Sequence, residues 1–172
     1  WRPMTKPVGP RSALVEPSAA VQIELVVEYA RWRRIRFIRR LTRMAVDACL
    51  EVVASELPMG TVSILLCSDS RMKALNATWR GLDKPTNVLS FPNQLRGPEM
   101  MLGDIAVSFQ TVQTEARAEN KPFAHHYQHM VVHGLLHLLG FDHEDAIDAD
   151  EMEAVERRSL ARLSVPDPYR KA

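Results

Sequence analysis

Apolar and polar positions first fall into a period of two at Val21–Val27, where Val21, Ile23, Leu25 and Val27 are interleaved with Gln22 and Glu24. That alternation predicts a half-buried strand. From about residue 34 to 56 the period lengthens. Ile35, Ile38, Leu41, Ala45, Cys49, Val52 and Val53 recur three or four apart, which predicts an amphipathic helix ended by Pro58 and Gly60. Residues 61–67 form a short apolar, β-branched run, hence a second strand. Asp69 or Ser70 is placed to cap a helix running to about Trp79. A loop over 80–85 then leads to two strand-like pieces, 87–91 and 102–109, separated by a loop holding Pro92, Gly97 and Pro98. Helical patterns follow at about 110–120, 123–139 and 148–163, and Ser164, Pro166 and Pro168 close the last. Strands come early and helices late. The pattern predicts an α+β fold, a small mixed four-stranded sheet packed with about five helices.

Residues 1–20 hold Pro3, Pro7, Pro10 and Pro17 with no apolar period, and read as a flexible N-terminal arm. The remainder, 21–172, is long enough for one domain with a full core. The whole chain's 46% hydrophobic and 25% charged residues suit a soluble globular protein. A net charge of +1 says little about partners, but the charges are unevenly placed. Seven arginines and no acid lie between Arg31 and Arg43; eight acids and no Lys or Arg lie between Asp142 and Glu156. Each run is either a solvated face or, for the arginines, a surface that meets phosphate. Cys49 and Cys67 stand apart from any C-x-x-C spacing, so neither a disulfide framework nor a cysteine metal site follows from them. With no signal peptide and no apolar stretch near ~18 residues, the chain reads as cytoplasmic, with no membrane partner.

The most informative stretch carries His133, His137, Gly140 and His143. Positions four apart on a helix share a face, so His133 and His137 can present two imidazoles to one ion. Glycine adopts the left-handed helix cap at little cost, so Gly140 lets the chain turn back and deliver His143 to the same ion. Three histidines leave one position of tetrahedral zinc to water, the arrangement of a catalytic site. The spacing H-x3-H-x2-G-x2-H is that of metzincin peptidases, which makes this a zincin-like metal helix. Those peptidases place a glutamate base directly after the first histidine; here Gly134 stands there. Zinc can still acidify water, but no carboxylate shuttles a proton to an amine leaving group. A peptidase is therefore disfavoured, and 21–172 reads as a single catalytic metal-dependent hydrolase domain.

Two longer blocks carry a resemblance. One is Leu75-Asn76-x-x-Trp79-Arg80-Gly81-Leu82-Asp83-Lys84-Pro85-Thr86-Asn87-Val88-Leu89-Ser90-Phe91; the other runs from His129 to His143. Leu102-Gly103-Asp104-Ile105 lies between them. Over roughly residues 60–160 the chain resembles the YbeY family of bacterial single-strand endoribonucleases. The resemblance implies one zinc ion per chain on His133, His137 and His143, and a functionally important arginine at Arg80. It implies action in 16S rRNA 3′-end maturation and ribosome quality control. The implied partners are single-stranded ribosomal RNA and the small ribosomal subunit, with no DNA. Trp79 stands where the family commonly has tyrosine, and Leu82 where it commonly has lysine, a departure that bears on phosphate contact and not on the metal.

Arg80 and His133 are accordingly the catalytic candidates. A guanidinium can grip two phosphate oxygens at once, although Arg80 also reads as a surface arginine after a helix. Asp142 either orients a ligand imidazole or caps the turn. His129, one turn before His133, is a partner behind the ligands, an RNA contact, or a half-exposed helix residue. Asn87 and Ser90 lie in or beside an edge strand along the cleft, or serve only turn and strand chemistry. His125 and His126 are expected to face solvent. Nickel suits three imidazoles as zinc does. Against the nuclease stands a second reading, a non-catalytic zinc-stabilised ribosome-binding assembly factor.

Overall fold

The computed structural model describes residues 21–53, 60–93, 101–143 and 145–170. The arm expected over 1–20 and most of the loop expected after Pro92 lie outside the described residues. The strands are β1 (Val21–Val27), β2 (Gly60–Cys67), β3 (Val88–Pro92) and β4 (Met101–Ser108). They form one sheet in the order β1-β2-β4-β3. β1, β2 and β4 run parallel, and β3 pairs antiparallel with β4 at the edge. The helices are α1 (Ile38–Val53), α2 (Asp69–Arg80), α3 (Phe109–Ala118), α4 (Phe123–Leu138) and α5 (Ala146–Arg162). The α+β class, the four-stranded mixed sheet and the five helices are as the apolar pattern predicts.

Because side chains alternate across a strand, the sheet buries two faces separately. Val62, Ile64, Leu66, Ile105 and Val107 meet α1, α4 and α5 in the larger core. Leu65, Cys67, Leu89 and Ala106 meet Met72 and Leu75 of α2 on the other side. Both cysteines are free and buried, and burial raises each thiol to about 12, which leaves them inert as ligands.

Two boundaries differ from the periodic reading. Ser68, rather than Asp69 or Ser70, caps α2 by accepting from the Arg71 amide. Asp69 instead ties α2 to α3, accepting from the Ser108 hydroxyl and from the Thr111 amide and hydroxyl. The helix expected from about residue 34 begins only at Ile38. Ala30–Arg34 form a short 3-10 turn, and Phe37 has φ 61°, a left-handed conformation that interrupts the helix. Trp32 pins this turn. Its side chain is wholly buried, its indole donates to the Cys67 carbonyl at 3.0 Å, and its ring lies 5.1 Å from those of Phe109 and Tyr127. Each such aromatic pair adds about 0.5–1.5 kcal/mol beyond area burial. A turn with no side-chain cap is thus held by tertiary contacts, which local periodicity does not report.

Candidate metal centre

α4 lies against the sheet at its glycine. A Cβ on Gly134 would meet Ile105 Cγ2 at 2.9 Å, Ser90 Oγ at 3.1 Å and Val88 Cγ2 at 3.2 Å. The Ser90 hydroxyl donates to the Gly134 carbonyl at 3.0 Å, fixing β3 to the helix at this point. The position that holds the base in the peptidase motif therefore faces the sheet and has no room for a side chain.

His133 and His137 stand on the same helix one turn apart, and α4 ends just beyond them. Gly140, at φ 91°, allows the Gly140 amide to donate to the His137 carbonyl and the Phe141 amide to the Leu136 carbonyl. Those two bonds are a Schellman termination. It turns the Phe141 carbonyl toward His137 Nδ1, 3.1 Å away. Asp142 caps the next turn, its carboxylate accepting from the His143 amide at 2.7 Å. Of the two roles open to Asp142, the structure gives it the turn. The outcome is a triad, His133, His137 and His143, whose ligand nitrogens all lie within 4.8 Å of one another.

The tautomers follow from the partners. His133 Nδ1 lies 2.8 Å from a carboxylate oxygen of Glu156, and His137 Nδ1 faces a carbonyl. Neither partner has a proton to give, so each Nδ1 carries the hydrogen, and a ring in its neutral form turns a bare Nε2 lone pair inward. Those two Nε2 atoms are 3.2 Å apart. Two lone pairs at that distance repel unless a cation lies between them. Tetrahedral zinc, with Zn–N bonds of about 2.0–2.1 Å, sets neighbouring nitrogens about 3.4 Å apart. The donor set, its spacing and its tautomers fit one such ion. Burial, together with the neighbouring His133 and His143, lowers the His137 pKa and favours its neutral, ligating form.

Glu156 was hidden in the sequence among eight acids. It lies on α5 with no solvent exposure. One oxygen meets His133, the other lies 3.4 Å from His129 Nε2 and accepts from the Tyr169 hydroxyl. Burial alone would raise this carboxyl, but the contacts from His129, His133 and Tyr169 outweigh it and bring it down to about 2. Glu156 is thus an anion at neutral pH, backing a ligand. The only signal for it was its position on the apolar stripe of Met152, Val155, Ser159 and Leu160. His129 stands behind the ligands through Glu156 and is mostly buried, which excludes the half-exposed reading.

The remaining candidates are not drawn to the triad. Asn87 donates to Glu115, whose carboxylate lies 2.8 Å from His126 Nε2. His126 is therefore buried against a carboxylate rather than facing solvent as expected; Glu115 on α3 supplies the hydrogen-bond partner that makes its burial tolerable. Arg80 is exposed at the end of α2, on the opposite face of the sheet, and no hydrogen bond or ion pair joins it to the histidines among the described residues. Its neighbour Trp79 packs edge-on against Phe91 of β3, with ring centroids 5.9 Å apart.

Comparison with known proteins agrees with this arrangement. The family described as endoribonuclease YbeY matches residues 28–164. The endoribonuclease YbeY of Bradyrhizobium diazoefficiens is 44% identical over 153 residues, covering 85% of this chain and 84% of the relative. That of Rhodopseudomonas palustris strain BisA53 is 49% identical over 131 residues, 73% and 76% of the two chains. A solution structure of a protein from Thermotoga maritima is similar at 28% identity and a TM-score of 0.57, covering 87% of this chain and all of that one. With the family's match taking in β2, β3, β4, α4 and the histidine turn alike, the chain belongs to the YbeY endoribonuclease family.

Proposed function

We propose that this chain is a zinc-dependent, single-strand-specific endoribonuclease that acts in the cytoplasm on the 3′ end of 16S rRNA and in ribosome quality control, with the small ribosomal subunit as its partner. The observation that carries the metal is the pair of bare Nε2 atoms 3.2 Å apart, each fixed by an acceptor on its other nitrogen. The names of the relatives support the RNA substrate.

His133, His137 and His143 would hold the ion, and the exposure of His143 keeps that side of the triad open to a substrate. When bound, zinc supplies Lewis acidity toward a phosphodiester and toward water. Glu156 and the Phe141 carbonyl keep the two helix imidazoles in one tautomer and orientation. Gly134 keeps a carboxylate base away from the ligands, which suits a phosphodiester better than an amide. Arg80 is assigned to phosphate charge, reaching past the β3 edge once substrate lies along it.

The test uses zinc-loaded protein, labelled single-stranded RNA and casein, with and without chelator. RNA is expected to be cut only with metal, at about one ion per chain by elemental analysis, and casein to stay whole. Arg80→Ala should keep its metal while cleavage falls by roughly two to three decades. Casein cleavage with intact RNA would sink the nuclease, and RNA binding without turnover would favour the non-catalytic assembly factor.

A further inference from the structure

The arginine run is more specific in three dimensions than in sequence. With Trp32 buried, the 3-10 turn and the first turn of α1 point Arg31, Arg33, Arg34, Arg36, Arg39 and Arg40 outward, all exposed. Only Arg43, further along, has an acidic partner, Asp47. The other six have none among the described residues. In their midst Phe37 is 60% exposed. The Arg36 guanidinium lies over its ring, 4.7 Å from the centroid. Phe37 also holds φ 61°, where a bulky side chain is costly and glycine is not. The Phe37 carbonyl accepts the first helical hydrogen bond of α1, from Leu41, so this conformation sets the ring at the helix's outer end. Folding gains nothing visible from an exposed aromatic ring in a strained conformation.

The geometry points to a second single-stranded RNA subsite, in which a base stacks on Phe37 and flanking phosphates lie on Arg33, Arg36 and Arg40. An exposed aromatic ring among unpaired guanidiniums is how proteins hold single strands without reading sequence. Charge placement favours the same occupant. The turn beside His143 and the start of α5 carry exposed Asp142, Asp145, Asp148 and Asp150, which repel a polyanion near the metal. Affinity for RNA is then supplied from elsewhere. Leu41, next to Arg40 and one turn past Phe37, ties the subsite to α4: Gln128 donates to its carbonyl, and His137 lies nine residues on from Gln128, about 14 Å of helix rise. This inference rests on the RNA substrate proposed above and adds where the strand is gripped.

The test is fluorescence anisotropy of full-length, metal-stripped protein with a labelled single-stranded RNA, beside cleavage by the zinc-loaded protein. Phe37→Ala should weaken binding about five- to a hundredfold, and Phe37→Trp should preserve it. Changing Arg33, Arg36 and Arg40 together to Ala should weaken binding and lower the slope of log K against log salt by about two. Phe37→Gly should weaken RNA while raising the thermal midpoint, because it relieves the strained φ; a purely structural role would not separate the two. Unchanged binding and slope in the Phe37 and arginine variants would overturn the subsite. So would equal loss of affinity for duplex RNA, for anionic vesicles or for an acidic peptide. If zinc-loaded protein fails to cut RNA while this binding pattern holds, the nuclease falls and the subsite stands. If cutting persists with binding indifferent to Phe37, the subsite alone falls.

Discussion

A carboxylate sealed from water must be matched by donors, and Glu156 has its match in His133 and Tyr169, with His129 3.4 Å away. Glu156→Gln removes the anion but keeps the volume, so the fold should survive while His133 loses the acceptor that sets its tautomer. Zinc affinity is expected to drop about ten- to a hundredfold, the usual cost of losing a hydrogen-bond partner behind a ligand; competition against a chromophoric chelator reads it. An affinity equal to wild type would show that the carboxylate only fills space. In the sequence the clustering of His133, His137 and His143 was legible, because helix spacing and a terminating glycine are local geometry. Glu156 was not, since an acid in an acidic run looks solvated until α5 turns that face inward. His126 was misread for the same reason. Its partner, Glu115, comes from a different helix.

At the level of elements, α4 joins two tasks that conflict at Gly134. The helix must present histidines on one side and press against Val88, Ser90 and Ile105 on the other. Gly134→Ala should therefore destabilise the protein by about 1–3 kcal/mol, the range for overpacking, despite alanine's better helix propensity. Urea unfolding measures this, and a stabilised variant would mean that β3 gives way easily. Gly134→Glu should fail to fold rather than become a peptidase. The missing peptidase glutamate was visible in the sequence, but the reason for its absence needed the sheet. Most elements were visible from periodicity, because each buries one face against the sheet. The start of α1 was not, since Ile35 and Ile38 keep helical spacing across the break at Phe37.

For the molecule as a whole, a metal on the histidine triad would act as a clasp between segments. Its ligands come from α4 and the turn after it, while Glu156 of α5 and Tyr169 beyond it complete the backing. Ligand binding to the native state alone stabilises by about 2.7 kcal/mol at free metal one hundred times the dissociation constant. For a chain of this size that is roughly 5–10 °C in thermal midpoint. Chelator should lower the midpoint of wild type by that amount and leave His143→Ala unmoved; equal shifts in both would place the bound metal elsewhere. The sequential placement of these parts bears on synthesis. A chain emerges from its N-terminus, so His133, His137 and His143 leave the ribosome before Glu156 and Tyr169 do. A nascent chain with its histidines already free has nothing yet to hold His133 in place, and the centre is complete only once Glu156 and Tyr169 have emerged.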